Sequence, residues 1–285
     1  MKKTILYTAI ALFTLSFTAE KKAYLIYTGK GDISSYDELL NAAKNSDIVL
    51  FGEFHDNPIC HWLELELTKD LYAEKKDKLV QGAEMFEADQ QIALNEYLRG
   101  VITEKTFTEN TKLWPNYGTD YKPLVEFAKT NKLKFVADNI PRRYANMVYN
   151  RGLKSLDSID ANAKKWIAPL PIKYDSTVQA YKEIFANSGG HGGQNLPMSQ
   201  AVKDATMAYF ILQNWKIGET FIHYNGAYHS NNHSGICWYL LQKNPKLKVL
   251  VISAATQDDI NKLDDENKGL GDYIICIPES MTRTQ

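Results

Sequence analysis

Short aliphatic runs alternate along this chain with longer stretches in which apolar residues recur every three or four positions. The runs at 47–51, 79–86, 133–137, 219–224, 247–252 and 272–277 read as buried strands, and 23–27 as a shorter one before a turn at 29–33. Helical spacing is found at 35–44, with Ser34 or Ser35 as its cap, and from Pro58 through Ile59, Trp62, Leu63, Leu67 and Leu71, whose intervening charged residues predict a wet face. Further helices are predicted over 88–98, 119–131, 141–151, 197–216 and 234–241, whereas 103–116 reads as irregular. Residues 156–187 carry helical periodicity broken by Pro169 and Pro171, and four glycines around His191 then exclude helix or strand. Strand and helix thus take turns, which predicts an α/β fold: a mostly parallel central sheet with helices on both faces and a helical insertion at about 156–195.

Chemistry-bearing residues collect where the predicted strands stop. The first strand leads into Gly52-Glu53-Phe54-His55-Asp56, the second carries Glu84, the third ends in Asp138-Asn139 with Arg142 and Arg143 beyond, and the fourth brings His223, Tyr228 and His229. In parallel strands these ends share one rim, where open α/β sheets bind ligands. Glu84 interrupts an apolar run, and an acid there needs a partner because burying it alone is costly. Two arginines at a helix start oppose the helix dipole, which suits a role in holding an anion. His223 reads equally well as a core histidine with its hydrogen bonds satisfied, and His61 and His233 as surface residues at helix edges.

Two uses fit the rim. Glu53, His55, Glu84, His223 and His229 are a donor set for a divalent metal ion, which would generate a hydroxide nucleophile. Alternatively, imidazole and phenol groups ligate haem iron while arginine pairs with its propionates. No glycine-rich nucleotide loop, serine elbow or C-x-x-C is present to suggest another chemistry.

Composition narrows the class. With 285 residues, 44% hydrophobic and 24% charged, the chain can bury a large core, and a net charge of −1 leaves no basic footprint for nucleic acid. Met1-Lys2-Lys3 followed by a charge-free apolar stretch to Ala19 predicts a signal peptide at 1–19, hence export to the periplasm or outer-membrane vicinity, with 20–285 as a single domain. Three cysteines (Cys60, Cys237 and Cys276) do not make a disulfide framework, and the latter two read as small buried residues.

Taken in order, Gly52-Glu53-Phe54-His55-Asp56, the strand with Glu84, Asp138-Asn139-Ile140-Pro141-Arg142, the helix with Gln200, Asp204, Met207 and Ala208, and Gly226-Ala227-Tyr228-His229 resemble the ChaN-like haem-binding uptake family. The resemblance runs from about Asp47 to Ile252. Through it the chain is similar to a wider group of Tiki proteases, TraB proteins and erythromycin esterases, which share the Gly-x-x-His pattern, here Gly52 to His55, and an acid on the following strand, here Glu84. The family resemblance implies an exported haem-binding protein of an iron-acquisition system, supplied by an outer-membrane haem receptor and working as a homodimer with stacked haems ligated by Tyr and His. By location and chemistry, Tyr174, Tyr181 and His191 are the candidate iron ligands and Arg142 and Arg143 the propionate partners. The wider group implies instead a metal-dependent hydrolase acting through Glu53, His55, Glu84 and His229. A lipoprotein cysteine, frequent in ChaN-like chains, has no counterpart here.

Overall fold

The computed structural model describes residues 21–189 and 193–284. Eight strands form one sheet: β1 (Leu25–Thr28), β2 (Ile33–Ser34), β3 (Ile48–Glu53), β4 (Leu79–Glu87), β5 (Lys134–Asn139), β6 (Thr220–Gly226), β7 (Val249–Gln257) and β8 (Tyr273–Pro278). They lie in the order β2-β1-β8-β7-β3-β6-β4-β5. From β8 to β5 every pairing is parallel, while β1 joins β8, and β2 joins β1, in antiparallel fashion. The apolar run of β3 is buried along its whole length because both sheet faces are covered.

Alternation along each strand divides the core into two layers. Val49, Phe51, Ala83, Phe135 and Tyr224 point to one face and pack against α1 (Tyr36–Lys44), α2 (Pro58–Lys75), α3 (Gln91–Leu98), α4 (Glu104–Asn110) and α5 (Lys122–Asn131). Ile48, Leu50, Val80, Val136 and Phe221 point to the other, against α7 (Gln179–Asn187), α8 (Asn195–Asn214) and α9 (Ile236–Lys243). On that second side α6 (Arg142–Arg151) packs on α8 through Ala145, Val148 and Val202. The neighbours β3, β6 and β4 therefore hand the chain to opposite faces in turn, through α2, α9 and α3. Where adjacent strands diverge in this way, a crevice opens beyond their carboxyl ends.

Local chemistry accounts for the boundaries. Ser35 caps α1 in a full capping box with Glu38, and Asn57 caps α2, with Pro58 in its first turn. The segment read as irregular contains α4, because Thr103 Oγ1 accepts from the Thr106 amide at 3.2 Å and Phe107 is fully buried beneath it. Within 156–195 the helix content is lower than its periodicity implies: α7, the start of α8 and short 3₁₀ turns account for it, and the segment around Pro169 and Pro171 has no regular secondary structure. On α2 the expected wet face is only partly wet, since His61 and Glu64 are buried, and Trp62, expected on the apolar face, is 49% exposed. All three cysteines are free and buried. Residues 1–19, read as a signal, and His191 lie outside the described residues, among which no helix is long and apolar enough to cross a membrane.

Candidate functional site at the carboxyl rim of the sheet

The parallel strands do bring Glu53, Glu84, Asp138 and His229 to one rim, but the pleat sends them to different faces. Glu53 joins groups on the α2 side, whereas Glu84 and Asp138 meet partners on the α8 side.

On the α8 side the centre is His229, which follows β6 in a 3₁₀ turn. Its Nδ1 lies 2.5 Å from Asp204 Oδ1, and its Nε2 lies 3.2 Å from Glu84 Oε1. The other Glu84 oxygen accepts the Gly226 amide at 2.8 Å, and the other Asp204 oxygen accepts the Tyr181 hydroxyl at 2.8 Å. Burial works against a charge on His229, but Glu84 and Asp204 outweigh it and hold the imidazolium up to about 10. Glu84 is likewise opposed by burial and held below the carboxylate range by the charge of His229. Deeper on this face, His223 contacts Asp138 at 3.0 Å through Nε2 and Asn225 at 3.1 Å through Nδ1. A side chain at Gly82 would collide with Asp138 Oδ2 and the Phe221 ring, so the bare glycine backbone is what lets Asp138 lie across β4.

On the α2 side, Glu53 Oε1 accepts from Tyr121 at 2.8 Å and contacts His55 Nδ1 at 2.7 Å. A single π turn, Tyr117–Tyr121, precedes α5 and aims Tyr121 at Glu53; such insertions often mark working sites. His61 Nδ1 lies 2.9 Å from Glu53 Oε2 and 3.3 Å from Glu64 Oε2. Burial raises the Glu53 carboxyl, but the His55 and His61 imidazoles override it and bring it down to about 2. Burial disfavours a charge on His61, which Glu53 and Glu64 nevertheless hold up to about 11. Glu64 is pushed well above the carboxylate range, first by burial and then by the charge of Glu53.

The two sides meet at His55. With Nδ1 taken by Glu53, its Nε2 has no protein partner among the described residues, and the side chain is 38% exposed. The ring stands edge-on to Trp114 at 4.7 Å. A Cβ on Gly226 would come within 2.7 Å of His55 Nε2, so glycine is what permits the close approach. His55, Glu84 and His229 form the floor of a cleft of about 650 Å³, with Trp114, Tyr149, Arg142 and Lys203 among its walls. An adjoining recess of about 200 Å³ shares His55 and His229 and is flanked by Tyr228, which is 67% exposed. A mainly apolar groove of about 330 Å³, lined by Pro169, Ile172, Ala208 and Leu212, takes in none of these groups.

Several expected site residues lie elsewhere. His223 is a core histidine with both nitrogens engaged, and it does not join the metal set proposed from sequence. Tyr181 is buried with its hydroxyl given to Asp204, so it braces His229 and does not line the cleft. Tyr174 packs on Tyr181 at 5.6 Å and does not line the cleft. Arg143 pairs with Asp89 at 2.6 Å and stacks on Tyr144 and Trp166, whereas Arg142 faces the cleft. His61, read from sequence as a surface residue, is buried against Glu53 and Glu64, and neither Glu64 nor Lys203 was singled out from sequence. The spacing His61, Glu64, Thr68, Leu71 does place the first two on the buried face of α2, a signal that the neighbouring leucines mask.

These buried charges give stability a defined pH dependence. Glu53 and Glu84, held low, contribute stability that is present above the ordinary value of 4.5 and lost as pH falls. His61 and His229, held at about 11 and about 10, contribute stability that is complete below 6.5 and lost as pH rises to those values. Glu64 and Asp138, raised by burial, contribute stability that is complete below their ordinary values of 4.5 and 3.8 and lost as pH rises from there, which draws the maximum toward 4.5. Urea unfolding across a pH series should give a maximum between 4.5 and 6.5 and a decline toward 10; a flat profile from 6.5 upward would contradict these assignments.

A family model described as haem-binding uptake, Tiki superfamily, ChaN matches residues 39–240. No curated protein matches the chain. Among solved structures, ChaN of Campylobacter jejuni, described with cofacially bound haem, is 18% identical over 88% of this chain and 96% of its own, with a TM-score of 0.67. A Bacillus cereus protein is 12% identical over 86% of this chain and 92% of its own, with a TM-score of 0.50. An erythromycin esterase in an open conformation is 12% identical over 78% and 72% of the two chains, with a TM-score of 0.46.

Proposed function

This chain belongs to the haem-binding uptake family ChaN of the Tiki superfamily, and we propose that it binds haem in the rim cleft. The observation that carries this reading is His55. Its Nδ1 is held by a buried carboxylate, so in the neutral ring the lone pair belongs to Nε2, on the cleft side. A carboxylate behind a ligating imidazole fixes its tautomer and strengthens it as a donor. The rest of the cleft suits the group as well. Trp114, Tyr149 and Leu196 offer flat apolar surface, and Arg142 and Lys203 offer positive charge for carboxylates. Bound haem would supply an iron centre and two propionates; the protein supplies the donor, the apolar walls and the countercharges.

Burial lowers the His55 pKa, but Glu53 and Glu84 outweigh it and raise it above 6.5. Iron competes with that proton, so haem affinity should strengthen as pH rises through the His55 titration. Titrating haemin into the purified protein at several pH values tests the proposal. A shifted Soret band that saturates, with affinity increasing toward alkaline pH, is expected. No spectral change at about micromolar haem, a range in which specific ligands bind, would overturn it.

On the same reading the protein acts outside the cytoplasm, in the periplasm or at the outer membrane, after removal of residues 1–19. It receives haem from an outer-membrane receptor and pairs with a second copy of itself. Amino-terminal sequencing of the exported chain tests the processing step. Hydrolysis has less support, because Glu84 and His229 neutralise each other and both imidazole nitrogens are engaged, leaving no free base between them.

A further inference from the structure

We propose that Glu53, His61 and Glu64 form a divalent-metal site under the floor of the rim cleft, separate from the position of haem. One donor atom from each lies within 4.8 Å of the others, and all three residues are buried. This is a different set from the rim donors expected from sequence, with Glu53 as the shared member.

Three features of the cluster point to a cation. First, Glu53 Oε2 and Glu64 Oε1 are buried without a hydrogen-bond partner in the protein, although Glu53 Oε2 is 2.9 Å from His61 Nδ1. That contact therefore lacks the alignment of a hydrogen bond, and two buried carboxylates each keep an oxygen unsatisfied in the same small volume. An unpaired buried acceptor is costly, and two together call for a shared positive charge.

Second, the far side of the imidazole is arranged as in metal-binding histidines. His61 Nε2 lies 3.2 Å from the His55 carbonyl and 3.4 Å from Asp120 Oδ2. Donation from Nε2 leaves the Nδ1 lone pair on the side of the two carboxylates, 2.9 Å from Glu53 Oε2 and 3.3 Å from Glu64 Oε2. A carbonyl or carboxylate behind the ring is the usual outer support of such a ligand. Asp120 is itself fixed, accepting from Asn116 at 2.7 Å and from Thr284 at 2.9 Å.

Third, the donor chemistry is coherent. One imidazole and two carboxylates suit Zn²⁺ or Mn²⁺, and three protein ligands leave room for a further one. Residues 283–284 cover this side, with Arg283 paired to Asp56 at 2.8 Å and Thr284 bonded to Asp120, so loosening of that segment would open a route for the ion.

The alternative occupant is protons, with His61 as an imidazolium and Glu64 neutral. The two are separated by loading the chelator-stripped full chain with Zn²⁺ or Mn²⁺, removing free ion by gel filtration, and measuring metal content. Wild type should retain about one ion per chain and gain thermal stability with added metal. Glu64→Gln and His61→Ala should lower affinity by at least about tenfold. Glu64→Gln keeps the side-chain volume, and burial already favours the neutral form of Glu64, so the metal-free variant should be close to wild type in stability. Co²⁺ loading gives a second readout, a visible absorption band that His61→Ala should abolish. The proposal is overturned if stripped wild type retains no ion and shows no thermal shift. It is also overturned if Glu64→Gln binds as well as wild type while Glu84→Gln removes the metal, which would place the ion at the cleft. The Soret response of Glu64→Gln to haem should match wild type, so this test and that of haem binding fail independently.

Discussion

Asp204→Ala should destabilise the protein by about 3–5 kcal/mol, the cost of breaking a buried ion pair by removing one partner. Asp204 accepts from His229 Nδ1 and from the Tyr181 hydroxyl, which also neighbours the Tyr239 hydroxyl. Its loss leaves a buried imidazolium with Glu84 as its one remaining carboxylate and turns the Tyr181 hydroxyl toward Tyr239. Asp204→Asn keeps an oxygen acceptor for one of the two donors and should cost less. Urea unfolding should show the difference as a lower midpoint at unchanged slope. An Asp204→Ala protein within about 1 kcal/mol of wild type, the range of an ordinary hydrogen bond, would mean that His229 is not charged.

The second large effect is on ligand binding. His55→Ala should weaken haem binding by at least about 100-fold, beyond the 10–100-fold range for losing an outer partner such as Glu53. Glu53→Gln falls within that range because the amide no longer holds the imidazole tautomer in the same way. The His55 side chain is 38% exposed but also pairs with the buried Glu53 carboxylate, so its removal should cost stability as well, which urea unfolding measures separately from the loss of affinity. A His55→Ala protein with full haem affinity would move the ligand role to a phenol at the cleft, Tyr149 or Tyr228.

Much of this arrangement is legible in the amino-acid order. Glu53 and Glu84 stand out because each ends or interrupts an apolar run, and parallel strands must deliver their ends to one rim. Gly82 hints at a close approach, which Asp138 makes. What the order conceals is which face each residue takes and who meets it there. Glu53 and Glu84 belong to neighbouring layers because the pleat alternates, and strand β6 lies between their strands although it comes more than a hundred residues later.

His61 and Glu64 look solvated because charged residues on an amphipathic helix usually are; their burial depends on Glu53 reaching across from the sheet. Tyr181 looks available because its segment is broken by prolines, yet Asp204 of α8 claims its hydroxyl. α4 is hidden for a similar reason, since one buried phenylalanine and a threonine cap suffice to hold a helix that the polar sequence disguises.

The most direct measurement is a crystal structure of the haem-loaded protein. The account predicts the macrocycle in the cleft bounded by Trp114, Tyr149 and Leu196, with iron at coordination distance from His55 Nε2 and a propionate against Arg142 or Lys203. Iron held instead by Tyr174, or a macrocycle seated in the groove beside Ile172 and Leu212, would contradict it.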